Sequence, residues 1–163
     1  MQLALKIVVI VGGTQYAAAG RLAEDAKVWL ETNGSTVEVV VVVDVGRCEE
    51  VIRVDAWRKS GALDGTGGAL RAQYVEILRG DNGAQPEVRG WKRNISGNED
   101  TQMTRNADLI WTDSLFLDLA KITGEVPVTQ PNWGVLLHKK LLQEFGARFW
   151  RMLGAPLRDH EMS

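Results

Sequence analysis

The chain carries a single cysteine, Cys48, so no internal disulfide and no cysteine-based metal knuckle can form, which suits a reducing compartment, cytoplasmic or nuclear. No run approaches the roughly 20 apolar residues that cross a bilayer. Residues Met1 to Lys6 lack the basic start and the cleavage site of a secretory leader. The formal glycosylation triplet Asn94-Ile95-Ser96 is therefore read as chance. Basic excess is missing as well: 19 Lys and Arg against 21 Asp and Glu give a net charge of -2, and no global positive field gathers nucleic acid or anionic lipid. There are two histidines, His138 and His160, far apart in sequence, and no H-E-x-x-H, C-x-x-C, G-x-S-x-G, G-x-G-x-x-G or Walker lysine. Metalloprotease, serine-hydrolase, dithiol and P-loop chemistries thus lack their usual signatures.

What is present is enough apolar residue, 45%, to give 163 residues one hydrophobic core, and the chain reads as a single α/β domain over 1–163. Its organising stretch is a β-α-β unit. Ile7 to Val11 is a β-branched run, Gly12-Gly13-Thr14-Gln15 a small-residue turn, Ala17 to Thr32 an amphipathic helix ended by Asn33-Gly34, and Val37 to Val45 a second apolar strand. Leu22, Ala26, Trp29 and Leu30 mark the inner side of that helix. Val51 to Trp57 alternates in part and predicts an antiparallel hairpin partner. Strands are expected at Ala72 to Leu78 and Glu87 to Ile95 around the turn Gly80-Asp81-Asn82-Gly83, with a Gly-rich loop from Ser60 to Gly68 and a polar segment from Ser96 to Asn106. Ala107 to Ile122 reads as a short strand leading into a helical turn. Asn132 is placed to cap a last helix on which Leu137, Leu141, Phe145, Phe149 and Met152 recur every three or four residues.

The succession Lys6 to Gln15, Leu22 to Leu30 with Asp25-Ala26 and Trp29-Leu30, Val37 to Val43, and Val51 to Trp57 resembles a set of uncharacterised fungal PD-(D/E)XK, or restriction-endonuclease-like, domains. Their pattern is an apolar strand ending in Glu-Val-Gly-x-Ser-Gln, a helix with Asp-Ala-x-x-Trp-Leu, a valine-rich strand, and a hairpin strand ending near Trp. The late segment from Asp108 to Gly124 is similar to theirs. The resemblance implies a mixed central sheet and an ancestral Mg²⁺-dependent phosphodiesterase, in which an upstream acid and a strand acid hold the cation. Here the strand glutamate is replaced by Ile10, which cannot ligate Mg²⁺, and the upstream acid would precede Met1. The expectation is a pseudoenzyme without a metal site, of unknown catalytic residues.

Three weaker features complete the reading. Gln15 lies at the position of the family's glutamine, and Asp44 and Asp55, at a strand end and in its hairpin partner, can approach each other and rebuild a cation site or simply be solvated. The turn Gly12, Gly13, Thr14, Gln15 sits where backbone amides and a helix N-terminus would take the phosphate of FMN in a flavodoxin-like alternative; the competing reading is close packing of strand and helix. Arg89, Trp91, Lys92 and Arg93, with Arg105 after them, interleave basic and aromatic residues, either to hold nucleic acid or as one wet face of a strand. Asp25-Ala26-Lys27 spells D-x-K but falls in a helix. Trp29 and Trp57 are the expected core tryptophans, and His138 the solvated face of the last helix.

Overall fold

Two apolar strands joined by a helix must run parallel, because only a long crossover returns the chain to the same end of the sheet. The protein, seen as a computed structural model that describes residues 7–13, 18–32, 34–59, 68–93, 109–118 and 134–161, has this unit first. Strand β1 (Ile7–Gly13) pairs in parallel with β2 (Val39–Gly46), and α1 (Ala18–Glu31) crosses over them. Gly34, at φ +77, supplies the left-handed residue that ends α1. Carbonyls left over in the last turn are taken up by hydroxyls: Thr32 donates to the Val28 carbonyl at 2.5 Å and Ser35 to that of Trp29 at 2.6 Å. The expected Asn33 contribution lies outside the described residues.

The rest of the main sheet is antiparallel. β3 (Val51–Lys59), β4 (Ala69–Leu78), β5 (Glu87–Arg93) and β6 (Leu109–Thr112) follow in spatial order β1-β2-β3-β4-β5-β6. The hairpin after β2 and the turn around Asn82, whose φ is 51, form as the sequence predicts. A parallel, doubly wound sheet of flavodoxin type does not form among the described strands, which make one parallel pair and four antiparallel ones in this sheet.

Both faces of the sheet bury valines and isoleucines, but different elements cover them. On one face Ala26 and Leu30 of α1 pack with Val37, Val40, Val42 and Trp57. On the other, Val41, Ile52, Val75, Ile77 and Val88 meet Leu115, Leu142 and Trp150. Leu115 belongs to a second, two-stranded sheet of β7 (Leu115–Asp118) and β8 (Gly134–Leu137), after which α2 (Lys139–Glu161) runs. Gln73 ties the two sheets as an extra strand residue would: its amide donates to the Phe116 carbonyl at 2.5 Å and accepts from the Phe116 N–H at 2.8 Å.

Four expectations need correction here. The helical turn expected within 107–122 is strand β7 at its described residues, since Leu115 is drawn fully into the core. The last helix begins at Lys139, because residues 134–137 pair with β7; Asn132 lies outside the described residues. His138 is therefore at the helix start, where its Nδ1 accepts the Leu141 N–H at 3.3 Å. The inner face of α2 is Leu142, Phe149, Trp150 and Leu153, and Leu141, Phe145 and Met152 face outward. Gly146 explains the choice: a Cβ there would come within 2.6 Å of Ile77 Cγ2, so the helix lies on the sheet along its smallest residue. Trp29, expected inside, is 44% exposed, whereas Trp57 is buried.

Candidate nucleic-acid interface

Among the described residues α1 packs chiefly over β1 and β2, and no other described element lies over β4 to β6 on that face. The strand registers lay out what stands there. One row runs across all six strands as Ile10, Val42, Asp55, Tyr74, Trp91 and Trp111, and the next as Gly12, Asp44, Arg53, Glu76 and Arg89 across the first five. Residues directly opposite on neighbouring strands share a face. The first row therefore passes from aliphatic, beneath α1, through a carboxylate to three aromatic rings. Tyr74 and Trp91 stack with centroids 6.0 Å apart, and Trp111, at the outer edge, is 83% exposed.

A slip in the β3–β4 register adds arginine to this row. Ala56 faces Gln73 while Trp57 faces Arg71, so Ala72 is the extra residue of a bulge and Arg71 turns to the same side as Tyr74. Its guanidinium carbon lies 5.4 Å from the Trp57 ring centre and 5.9 Å from that of Tyr74. On the neighbouring strand, beside Arg71, Arg93 stands 5.6 Å from the Trp91 ring centre while its Nε donates to the Arg71 carbonyl at 2.9 Å. Cations over ring faces are held by the ring quadrupole, so these arginines stay beside the aromatic surface.

Beneath Tyr74, between the sheet and Leu22 of α1, is a cavity of about 250 Å³ whose polar wall is Asp44, Arg53, Asp55, Arg71 and Tyr74. Arg53 Nη1 is 3.5 Å from Asp44 Oδ2, and Arg71 Nε is 3.6 Å from Asp55 Oδ2. Arg53 also pairs with Glu49, and Arg89 with Glu76. Burial pushes the Asp55 carboxyl above its ordinary value; Arg71 opposes the rise and Asp44 adds to it. The Trp57 indole N–H, directed at the Asp55 carboxylate as a hydrogen-bond donor, also opposes the rise, although its geometry falls short of a closed hydrogen bond. Tyr74 is raised to about 12 by burial and by donating to Glu76 at 2.8 Å. Burial alone would raise Glu76, but hydrogen bonds from Arg89 and Tyr74 outweigh it and hold the carboxyl below its ordinary value.

A larger cavity, about 480 Å³, lies on the opposite face between the main sheet and β7. Lys92 and Arg93 both line it, but alternation along β5 sends Arg89 and Trp91 to one side and Lys92 to the other, which removes Lys92 from the basic cluster expected at Arg89 to Arg93. Polar groups converge more densely in the smaller cavity, and it adjoins the exposed aromatic row.

The two aspartates singled out in the sequence do share the small cavity. There one oxygen of each carboxylate faces a guanidinium, Arg53 beside Asp44 and Arg71 beside Asp55. Among the described residues no group of three or more His, Cys, Asp or Glu is placed to hold a metal ion. Thr14 and Gln15 lie outside the described residues. Gly12 serves packing, since a Cβ there would stand 2.9 Å from Leu22 Cδ2, and Gly13 has only the Val45 carbonyl nearby, at 3.8 Å. Cys48 is exposed in the turn before β3.

No protein-family model, curated protein or solved structure matches this chain. The chemistry of the open face is therefore the guide to function. Tyr74, Arg71 and Trp111 were not singled out by sequence reasoning. The spacing Tyr74-x-Glu76 against Arg89-x-Trp91, two strands with one wet face and a hairpin turn between, was the available signal for the first; nothing local announces the bulge that turns Arg71. Among the described residues no helix is long and apolar enough to cross a membrane.

Proposed function

We propose that this chain is a non-catalytic, restriction-endonuclease-like domain that binds single-stranded nucleic acid across the open half of its sheet. The observation that carries the binding reading is the aromatic row, in which stacked Tyr74 and Trp91, flanked on one side by Arg71 and Arg93, lead to an 83% exposed Trp111. Bases stack on exposed rings whatever their sequence, and arginines beside the rings meet the phosphates. Neighbouring strands lie about 4.8 Å apart, so adjacent rings of the row can receive successive bases of an extended strand. Support for the scaffold comes from the parallel β1-α1-β2 unit followed at once by an antiparallel hairpin, the order that the resemblance implies. The non-catalytic reading rests on Ile10, an aliphatic side chain in the same row as Asp55, where a cation would need oxygen.

The test is fluorescence anisotropy with labelled oligothymidylate. Trp111→Ala is expected to weaken binding by roughly 1–3 kcal/mol, the worth of one stacked base. Because Arg53 and Arg89 are already paired with glutamates, few phosphates are neutralised, and the slope of log affinity against log salt should be about -1, at roughly -0.7 per phosphate. Oligothymidylate binding that is indifferent to Trp111→Ala and Trp91→Ala would overturn the platform. Mg²⁺-dependent plasmid cleavage abolished by Asp44→Ala or Asp55→Ala would overturn the non-catalytic reading.

A further inference from the structure

We infer that the cavity under Tyr74 reads guanine, an inference that rests on the single-strand platform proposed above. Asp44 is the most deeply buried charged group described, its side chain 9% exposed, and its Oδ1 accepts no hydrogen bond from the described residues. Asp55 Oδ1 also closes no hydrogen bond, though its side chain is 16% exposed and the Trp57 indole N–H acts on the carboxylate as a weak donor. Buried acceptors of this kind are costly to leave without donors, so a ligand that supplies N–H groups gains more here than on an open surface. The second oxygen of each carboxylate faces a guanidinium, at 3.5 Å for Arg53 and 3.6 Å for Arg71. The wall thus sets acceptor beside donor, twice.

Base edges can be compared with that wall. Guanine carries N1–H and the N2 amino group side by side, both donors, next to the acceptor O6; the donors suit a carboxylate and O6 suits an arginine. Adenine turns the N1 lone pair toward the carboxylate. Thymine and uracil flank their one N–H with carbonyl oxygens, which repel it. Cytosine offers its amino group beside a lone pair. Proteins that take up an unstacked base read its Watson–Crick edge in this way while an aromatic ring stacks on its face, and Tyr74 lines the cavity. At about 250 Å³ the space falls under the roughly 300 Å³ where pockets for drug-sized ligands begin, which suits one base. The row from Trp111 through Trp91 to Tyr74 leads a bound strand to its mouth.

The experiment compares labelled oligothymidylates that carry one central guanine, inosine, adenine or no replacement, by anisotropy with the full chain. Guanine should bind roughly tenfold tighter than the unreplaced oligomer, as one bidentate contact provides. Inosine, which lacks the N2 amino group, should lose most of that gain, and adenine all of it. Asp55→Asn should lower the guanine-to-thymine affinity ratio toward one, and the inosine arm needs no variant that has to fold. Equal binding of all four oligomers overturns the guanine inference and leaves the platform standing. Absence of binding to any of them overturns both.

Discussion

Asp55 is the residue at which stability and function should be seen to oppose each other. Its folded pKa lies above the ordinary 3.8, with burial as the main cause and Arg71 as the main opposing influence. The folded chain therefore holds that proton more tightly than the unfolded one. Consequently Asp55 subtracts from stability increasingly as pH rises from 3.8 through its folded value. Asp55→Asn removes the ionisation and keeps the shape. It gives up the pair with Arg71, whose side chain is 39% exposed, worth about 0.2–1 kcal/mol. It also ends the burial of a carboxylate oxygen that closes no hydrogen bond, worth about 1–3 kcal/mol. The net expectation is a gain of about 1 kcal/mol at pH 7, seen as a rise of about 2–4 °C in Tm for a chain of this size, fading near pH 4. Urea unfolding followed by tryptophan fluorescence at both pH values reads it directly. If Asp55→Asn instead costs more than about 1 kcal/mol at neutral pH, the carboxylate is a structural ion pair and the argument for a binding wall fails.

Other perturbations test the remaining structure. Glu76→Gln should destabilise the fold at neutral pH, with the difference from the parent closing as pH falls from the ordinary 4.5 through the lowered folded value, as urea midpoints would record. Gln73→Leu removes both links to the Phe116 backbone, about 2 kcal/mol in all, and should speed hydrogen exchange at the Phe116 amide before that of the Val75 core. Gly146→Leu forces atoms against Ile77 and Pro86 and should cost about 1–3 kcal/mol by overpacking, measured by thermal unfolding. Trp150→Ala, at a site 8% exposed, should cost about 3–5 kcal/mol, whereas Trp111→Ala should leave stability within about 0.5 kcal/mol; equal losses would mean that Trp111 is part of the core.

The N-terminal half was legible because its signals are redundant. Unbroken valine runs, a periodic helix, a glycine stop and a hairpin all say the same thing, and β1 to β3 form where expected within two residues. Later elements had no such agreement. β6, β7 and β8 are four residues each, too short for periodicity to declare, and β7 is a strand because Gln73 and the core beneath Leu115 make it one. On α2 two apolar stripes compete, and counting large side chains chooses Leu141, Phe145 and Met152. The buried stripe is the one containing Gly146, a residue that a hydrophobic pattern ignores and that sets how near the helix can come. In the site, Asp44 and Asp55 were found because their distances from the hairpin turn are short; Arg71 was missed because a bulge changes which face it occupies.

Whether the open face needs a function at all can be argued from its dimensions. Six strands about 4.8 Å apart make a sheet roughly 24 Å wide, and a helix about 10 Å across covers less than half of it. Among the described residues the one helix on this side leaves β4 to β6 uncovered. A solvated face is then expected to carry paired charges, and Arg89 with Glu76 and Arg53 with Glu49 meet that expectation completely. Trp91 and Trp111 do not. A large ring on an exposed edge strand invites edge-to-edge association, which protein sheets usually block with lysine, proline or a bulge. Here the bulge lies inside the sheet, between β3 and β4, where it turns Arg71 toward the aromatic row, and the edge strand carries Leu109, Ile110 and Trp111 uncovered. A sequence shaped only for solubility would have placed these features the other way round.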